Sequence, residues 1–176
     1  MSQRIVEVVS YNADWAQQFN LEKSLLKNAL GNVAVTIFHI GSTAVVGLTA
    51  KPIIDILIEV TSLSELDAKS DNMTSLEYIA KGENGIYGRR YFQKGGHQRT
   101  HHVHAFKQGD IHVFRHLAFR DYLRANKAIA QEYASIKFDA ANQCNNDMRN
   151  YMKHKNAFIQ YHQDIALNNR NKKQAM

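Results

Sequence analysis

Residues 39–60 read HIGSTAVVGLTAKPIIDILIEV. This stretch closes one apolar run, Val33 to Ile40, and opens a second, Pro52 to Val60. Apolar runs of that length, bounded by glycine and proline, are expected to be β-strands. A strand that ends in Gly41-Ser42 exposes backbone N–H groups where small side chains let a phosphate come close. A short helix that begins at Ser42 or Thr43 adds its positive end to the same place. Lys51, just before the second strand, is a further candidate phosphate ligand. Asp55 is a carboxylate in the middle of the second run, placed to hold a divalent metal against a phosphate. These are the elements of a nucleotidyl-transfer site.

Side chains alternate along a strand, so Asp55 shares its face with Ile53, Leu57 and Glu59. Two-metal phosphoryl transfer usually draws a pair of carboxylates from such a strand, and Leu57 stands where the second would fall. Glu59 lies roughly 13 Å further along and is expected at the strand end, near solvent. The histidines offer a replacement. Five of the nine fall between His97 and His112, and in THHVHAF the residues His102, His104 and Phe106 share one strand face. If that strand lies beside the Asp55 strand, Asp55, His102 and His104 make a mixed nitrogen and oxygen site for a divalent metal. Imidazole ligands suit Mn or Zn better than Mg, which prefers oxygen. The plainer alternative is one buried, hydrogen-bonded histidine with its neighbours exposed.

Basic residues form a third group. Arg89 and Arg90 point to opposite faces of a strand, so at most one reaches a given site. His116, Arg120 and Arg124 recur every fourth residue and share a helix face, a row suited to a triphosphate or to a solvated surface paired with Asp121. Ser42 lacks the flanking pattern of a nucleophile elbow, and Cys144 has no activating context, so nucleophilic catalysis is not expected.

The chain has 176 residues, 44% hydrophobic and 22% charged, enough for a single domain with its own core. No apolar run reaches the roughly 18 residues of a transmembrane helix. The start, MSQRIVEVVS, does not read as a secretory signal, and a cytoplasmic protein is expected. One cysteine excludes an intramolecular disulfide and a cysteine-rich zinc site. A net charge of +6 suits a nucleotide or other phosphate-bearing small molecule as partner. Nothing favours an aromatic base-stacking platform, so neither nucleic acid nor a membrane is expected as partner.

In chain order, residues 5–9 are expected to form a short strand, followed by a helix from Asn12 or Asp14 to Gly31, where a C-capping glycine belongs. A helix is expected from Leu63 to Leu76, strands over Tyr87–Lys94 and Thr100–Lys107, and one more over Ile111–Phe114. From about residue 116 the pattern turns helical, giving three helices that end near Ile165, before a polar tail over 169–176. Residues 1–168 thus form one α+β unit: a mixed β-sheet with flanking helices and a helical C-terminal third.

The string HIGSTAVVGLTAKPIIDI, followed by RRYFQK, HHVHAF, HLAFRDYLR and EYASIK, resembles the GrpB family, also called UPF0157, from about Tyr11 to about Ile165. Where that family usually reads VPGL, this chain has Val45-Val46-Gly47-Leu48. The resemblance implies a nucleotidyltransferase-like fold. It also implies that Gly41 and Ser42 hold nucleotide phosphates and that Asp55 is the metal-binding carboxylate. His104 would be the family's strand histidine, and Arg120 part of its FRDYLR helix. The family's module also occurs fused to dephospho-coenzyme A kinase, which points towards nucleotide or coenzyme chemistry. The expected activity is metal-dependent nucleotidyl transfer, using Mg, Mn or Zn, from an ATP-like nucleotide to a small acceptor. Asp55, His104 and Arg120 are the catalytic candidates. Gly41, Ser42, Thr43 and Lys51 are the candidate phosphate ligands. A catalytically silent nucleotide- or coenzyme-binding module and a His/Asp metal-dependent phosphohydrolase are the alternatives.

Overall fold

The segment Ile54–Val60 (β2) is buried along its length except at Asp55 and Glu59, which are half-buried. A strand buried on both faces belongs in the middle of a sheet with a layer on each side. The computed structural model, which describes residues 7–174 and side chains through residue 169, shows that arrangement. Ala34–Ile40 (β1) pairs antiparallel with β2 on one side. His101–Lys107 (β5) pairs parallel with it on the other. Arg90–Lys94 (β4) and the two-residue Ile79–Ala80 (β3) extend the sheet antiparallel, giving the order β1-β2-β5-β4-β3. The fold is therefore the mixed-sheet α+β class expected.

One sheet face is covered by Asp14–Leu30 (α1). Its Trp15, Phe19, Leu26 and Leu30 are spaced four or seven apart, on one helix face, and pack on Ile37, Ile54, Ile56 and Val103. Leu21 and Leu25, also in the apolar pattern, face solvent instead. The expected helix over 63–76 is two short ones, Leu63–Asp67 (α2), capped by the Ser62 hydroxyl, and Ser70–Ser75 (α3). Of the strand expected over residues 5–9, residues 5 and 6 lie outside the described residues; Val9 forms only an isolated bridge with Ala50.

The other face receives the C-terminal helices. Ile111–Phe114 was expected to be a strand, and here the structure corrects the sequence reading. The Asp110 carboxylate accepts a hydrogen bond from the His112 N–H at 2.8 Å and caps a helix, Ile111–Ala125 (α4). Its Val113 and Leu117 then fall one turn apart and pack on Ile40, Leu57 and Phe106. Lys127–Gln143 (α5) and Met148–Gln174 (α6) follow, and α6 continues through the polar segment to Gln174. Cys144 is buried beside Ala140 and Tyr151, a packing role that matches its unremarkable sequence context. Among the described residues no helix is long and apolar enough to cross a membrane.

Leu57 is fully buried in the cluster under α4. Leu57→Ala should therefore lower stability by about 2–5 kcal/mol, measured by urea denaturation. Leu57→Asp should cost more, because it buries a carboxylate without a partner. A Leu57→Asp chain as stable as the parent would show that this position opens to solvent.

Candidate functional site

The parallel register of β2 and β5 sets Asp55 opposite His102 and Leu57 opposite His104. On the other side Ile40, the last residue of β1, lies opposite Asp55. Asp55, His102 and His104 therefore converge on the sheet face that α4 does not fully cover. His102 Nδ1 lies 3.0 Å from Asp55 Oδ1 and donates to it. His104 Nε2 lies 3.9 Å from the same oxygen. Its Nδ1 is 3.3 Å from Arg89 Nη1, and because guanidinium can only donate, Nδ1 accepts and the ring proton sits on Nε2, facing Asp55. Arg90, next in sequence, turns to the opposite side and pairs with Asp67 at 2.7 Å.

Gly41 closes the site from the β1 end. Its φ is +70°, and a Cβ there would lie 2.6 Å from Asp55 Oδ2, so only glycine lets the turn and the carboxylate share this space. Burial pushes the Asp55 carboxyl up, but the His102 hydrogen bond and the adjacent His104 outweigh it and hold the group well below the usual carboxylate range. Burial likewise pushes the His104 imidazole down, partly offset by Asp55. His116, with its ring 5.3 Å from that of His104, is held down to about 3 by burial and then by the His104 charge. Burial thus favours the neutral form of the His104 and His116 imidazoles beside the ionised Asp55.

A divalent ion needs lone pairs that converge on one point. Here both imidazoles turn N–H groups towards Asp55. Among the described residues no group of three or more His, Cys, Asp and Glu side chains is arranged to hold a metal. The expected ligand set of Asp55, His102 and His104 is thus brought together as a hydrogen-bonded cluster, and its donors as oriented do not fit an ion. His102 Nε2 is buried with no hydrogen-bond partner.

A cavity of about 420 Å³ opens beside this cluster, with Ser42, Thr43 and Lys51 on its loop side. The opposite wall is Lys137 from α5 and Tyr151 and Lys155 from α6. Lys137 is buried, donates to the Thr49 carbonyl, and lies 4.6 Å from the centre of the Tyr133 ring. Burial and then the Lys155 charge hold its amine down at about 7. The Lys51 and Lys155 ammonium groups lie 5.0 and 4.9 Å from the centre of the Tyr151 ring. Lys155 is held down at about 8 by burial and by Lys51, with Asp55 opposing. Lys137 and Lys155 were not singled out from sequence. The signal that marks the first is a lysine in the apolar register of a helix, between Tyr133 and Ala140. Lys155 follows buried Tyr151 by one turn.

Other candidates sit elsewhere. Thr43 lines the cavity, but its hydroxyl is engaged by His39 Nε2 at 2.9 Å and by the Ile53 carbonyl at 3.3 Å. Arg120 donates to the His39 carbonyl at 3.0 Å and pairs with Asp121, away from the cavity wall. Arg124 grips the Ala44 carbonyl at 2.9 and 2.7 Å. Arg120 and Arg124 therefore fasten α4 to the backbone at the end of β1 and in the turn after it, while His116 packs against the rings of His104 and Phe106. Glu59 accepts from the Gly109 N–H at the far strand end, as its spacing requires.

A five-stranded mixed sheet, a Gly-Ser turn set against a strand aspartate and a helical C-terminal third define a nucleotidyltransferase-like fold. A cytoplasmic RNA terminal U-transferase of solved structure superposes with a TM-score of 0.52 over 73% of this chain and 40% of that one, at 7% identity, a likeness of fold alone. The chain belongs to the GrpB family: the GrpB protein model matches residues 5–164. The crystal structure of the conserved protein GrpB from Enterococcus faecalis matches with a TM-score of 0.90 and 39% identity, covering 93% of this chain and 99% of that one. The UPF0157 protein YqkA of Bacillus subtilis (strain 168) is 47% identical over 163 residues, 93% of this chain and 48% of the relative, so the chain spans about half that protein's length.

His39 stacks on Phe19 with ring centres 4.7 Å apart, beneath the Gly-Ser turn. Burial, reinforced by Arg124 and Arg120 and opposed by Asp55, holds its imidazole down at about 4, against an ordinary 6.5. The unfolded chain then takes up the proton first as pH falls, so this contribution is complete above 6.5 and is lost between 6.5 and 4. At pH 5 the loss is at most roughly 2 kcal/mol. The melting temperature should fall from pH 7 to pH 5, and fall less in His39→Gln. An equal slope in both proteins would show that His39 is not the group responsible.

Proposed function

We propose that this chain binds a nucleotide, or another phosphate-bearing small molecule, in the cavity between the Gly41–Thr43 turn and helices α5 and α6. One observation carries the reading. Among the cavity's lining side chains, Lys51, Lys137 and Lys155 face a single acid, Asp55, with the Ser42 hydroxyl at the edge. A volume of about 420 Å³ lies within the range of small-molecule sites. Anionic oxygens match ammonium and hydroxyl donors, while Asp55, kept ionised by its histidines, can accept a hydrogen bond that orients an attacking hydroxyl. Transfer of a nucleotidyl group to a small acceptor is the reaction that this arrangement and the fold favour. Catalysis would rest on positioning and charge stabilisation.

The silent binding module is the second reading, and Leu57 favours it. The second strand carboxylate of a two-metal site is replaced by a fully buried leucine, so the usual metal pair has no place on β2. The His/Asp phosphohydrolase draws no support from imidazoles that donate to Asp55. Calorimetric titration with ATP and with coenzyme A, on the parent chain and on Asp55→Asn, tests the common part of both readings. Saturable binding that survives in Asp55→Asn, with pyrophosphate release from ATP only in the parent, is the result expected of a transferase. Binding without release over a panel of acceptors would favour the silent module. Absence of any binding would contradict both.

A further inference from the structure

We propose that the three cavity lysines hold the phosphate chain of a di- or triphosphate directly, supplying the positive charge that a divalent cation provides in two-metal transferases. This rests on the reading that the cavity binds a phosphate-bearing ligand. It goes further by naming the ligand class and by separating its binding from metal.

The first support is position. Lys51, at the end of the Gly-Ser segment, and Lys155, one helical turn after Tyr151, set their ammonium groups against the same aromatic ring. Lys137 lies on α5 beside them, with its stem over Tyr133 and its ammonium anchored by the Thr49 carbonyl. The rings and the carbonyl fix where the charges sit, so little side-chain freedom remains to be lost on binding.

The second support is charge balance. Three ammonium groups share the cavity with one carboxylate. That carboxylate is already hydrogen-bonded by His102. Among the described residues neither Lys137 nor Lys155 forms an ion pair with an acid. Burial first, and then the charge of a neighbouring lysine, lowers the affinity of both lysines for protons, Lys155 acting on Lys137 and Lys51 on Lys155. A single phosphoryl group brings roughly −1.5 to −2 charge at neutral pH and three acceptor oxygens. A second or third phosphoryl group adds oxygens for the remaining donors. The site is therefore matched to pyrophosphate and nucleoside di- or triphosphates above monophosphates.

The third support is the state of the acidic cluster. In a two-metal site the carboxylates offer lone pairs to cations that in turn hold the phosphates. Here Leu57 stands in place of one carboxylate, and the N–H groups of His102 and His104 both point at Oδ1 of the other. The charge that must be neutralised during binding then falls to the opposite wall.

The test is calorimetric titration of the full chain with pyrophosphate, ATP and AMP, once in excess EDTA and once with Mg²⁺ or Mn²⁺. Pyrophosphate and ATP are expected to bind in EDTA, with AMP at least about tenfold weaker. Lys155→Met and Lys137→Met, confirmed folded by circular dichroism, should each weaken pyrophosphate binding by about tenfold or more. Lys153→Met, on the exposed side of α6, should leave it unchanged. Binding of ATP or pyrophosphate only when Mg²⁺ or Mn²⁺ is present would overturn the inference while leaving nucleotide binding intact. So would binding in EDTA that both folded lysine variants retain in full, or AMP binding as tight as that of ATP. No binding of any of the three ligands under either condition would overturn the inference and the reading beneath it together.

Discussion

The hydrogen bond from His102 to Asp55 exists because β2 and β5 run side by side in parallel and in one register. Strand side chains alternate, so a slip of one residue would turn either partner to the other face, against α1. The same register places Leu57 beside His104 and so builds the apolar patch under α4 next to the polar cluster. Gly41 completes the arrangement, since the β1 end can pass over the Asp55 carboxylate only where no Cβ intervenes. His39, Arg120 and Arg124 then hold that turn from beneath and from α4. The position of the candidate site is thus fixed by sheet geometry, and the helices supply its wall.

Charge is distributed unevenly across that wall. On the sheet side, one ionised carboxylate is hydrogen-bonded by His102 and lies near His104 and His116, whose neutral forms burial favours. On the helix side, burial lowers the proton affinity of Lys137 and Lys155, with Lys155 adding to the first and Lys51 to the second, and Asp55 offsets only part of it at Lys155. A pocket of this kind is at its least stable when empty of anions, because each desolvated ammonium retains an unanswered cost. An anionic ligand relieves it. The apolar position at Leu57 fits the same logic, since a second acid there would have been buried without a cation beside it.

Much of the framework is legible in the chain itself. The apolar runs ending at Gly41 and beginning near Pro52 are β1 and β2, and the HHVH face turns towards Asp55 as strand alternation requires. The helical pattern after residue 116 is equally plain. Ile111–Phe114 was misleading because four mostly apolar residues suit either period, and the deciding feature was the Asp110 cap one position earlier. The arginine row of α4 matched phosphate in chemistry, yet the backbone carbonyls of His39 and Ala44 take its donors. The lysine wall was the least visible part. It joins Lys51 to residues 86 and 104 positions later, and no local pattern links them; only the packing of α5 and α6 across the sheet face does so. What sequence offered there was a lysine between Tyr133 and Ala140 where an apolar residue was due.

The proposed seat of the phosphates is between the Ser42 turn and the α5–α6 wall, next to Asp55. A crystal structure of the chain with a non-hydrolysable ATP analogue tests it most directly. Phosphoryl oxygens are expected within hydrogen-bonding distance of the Lys137 and Lys155 ammonium groups, with the α-phosphoryl end nearest Asp55. Phosphates seated elsewhere, for example in the groove between Val45–Leu48 and α5, with the lysine wall left untouched, would contradict it.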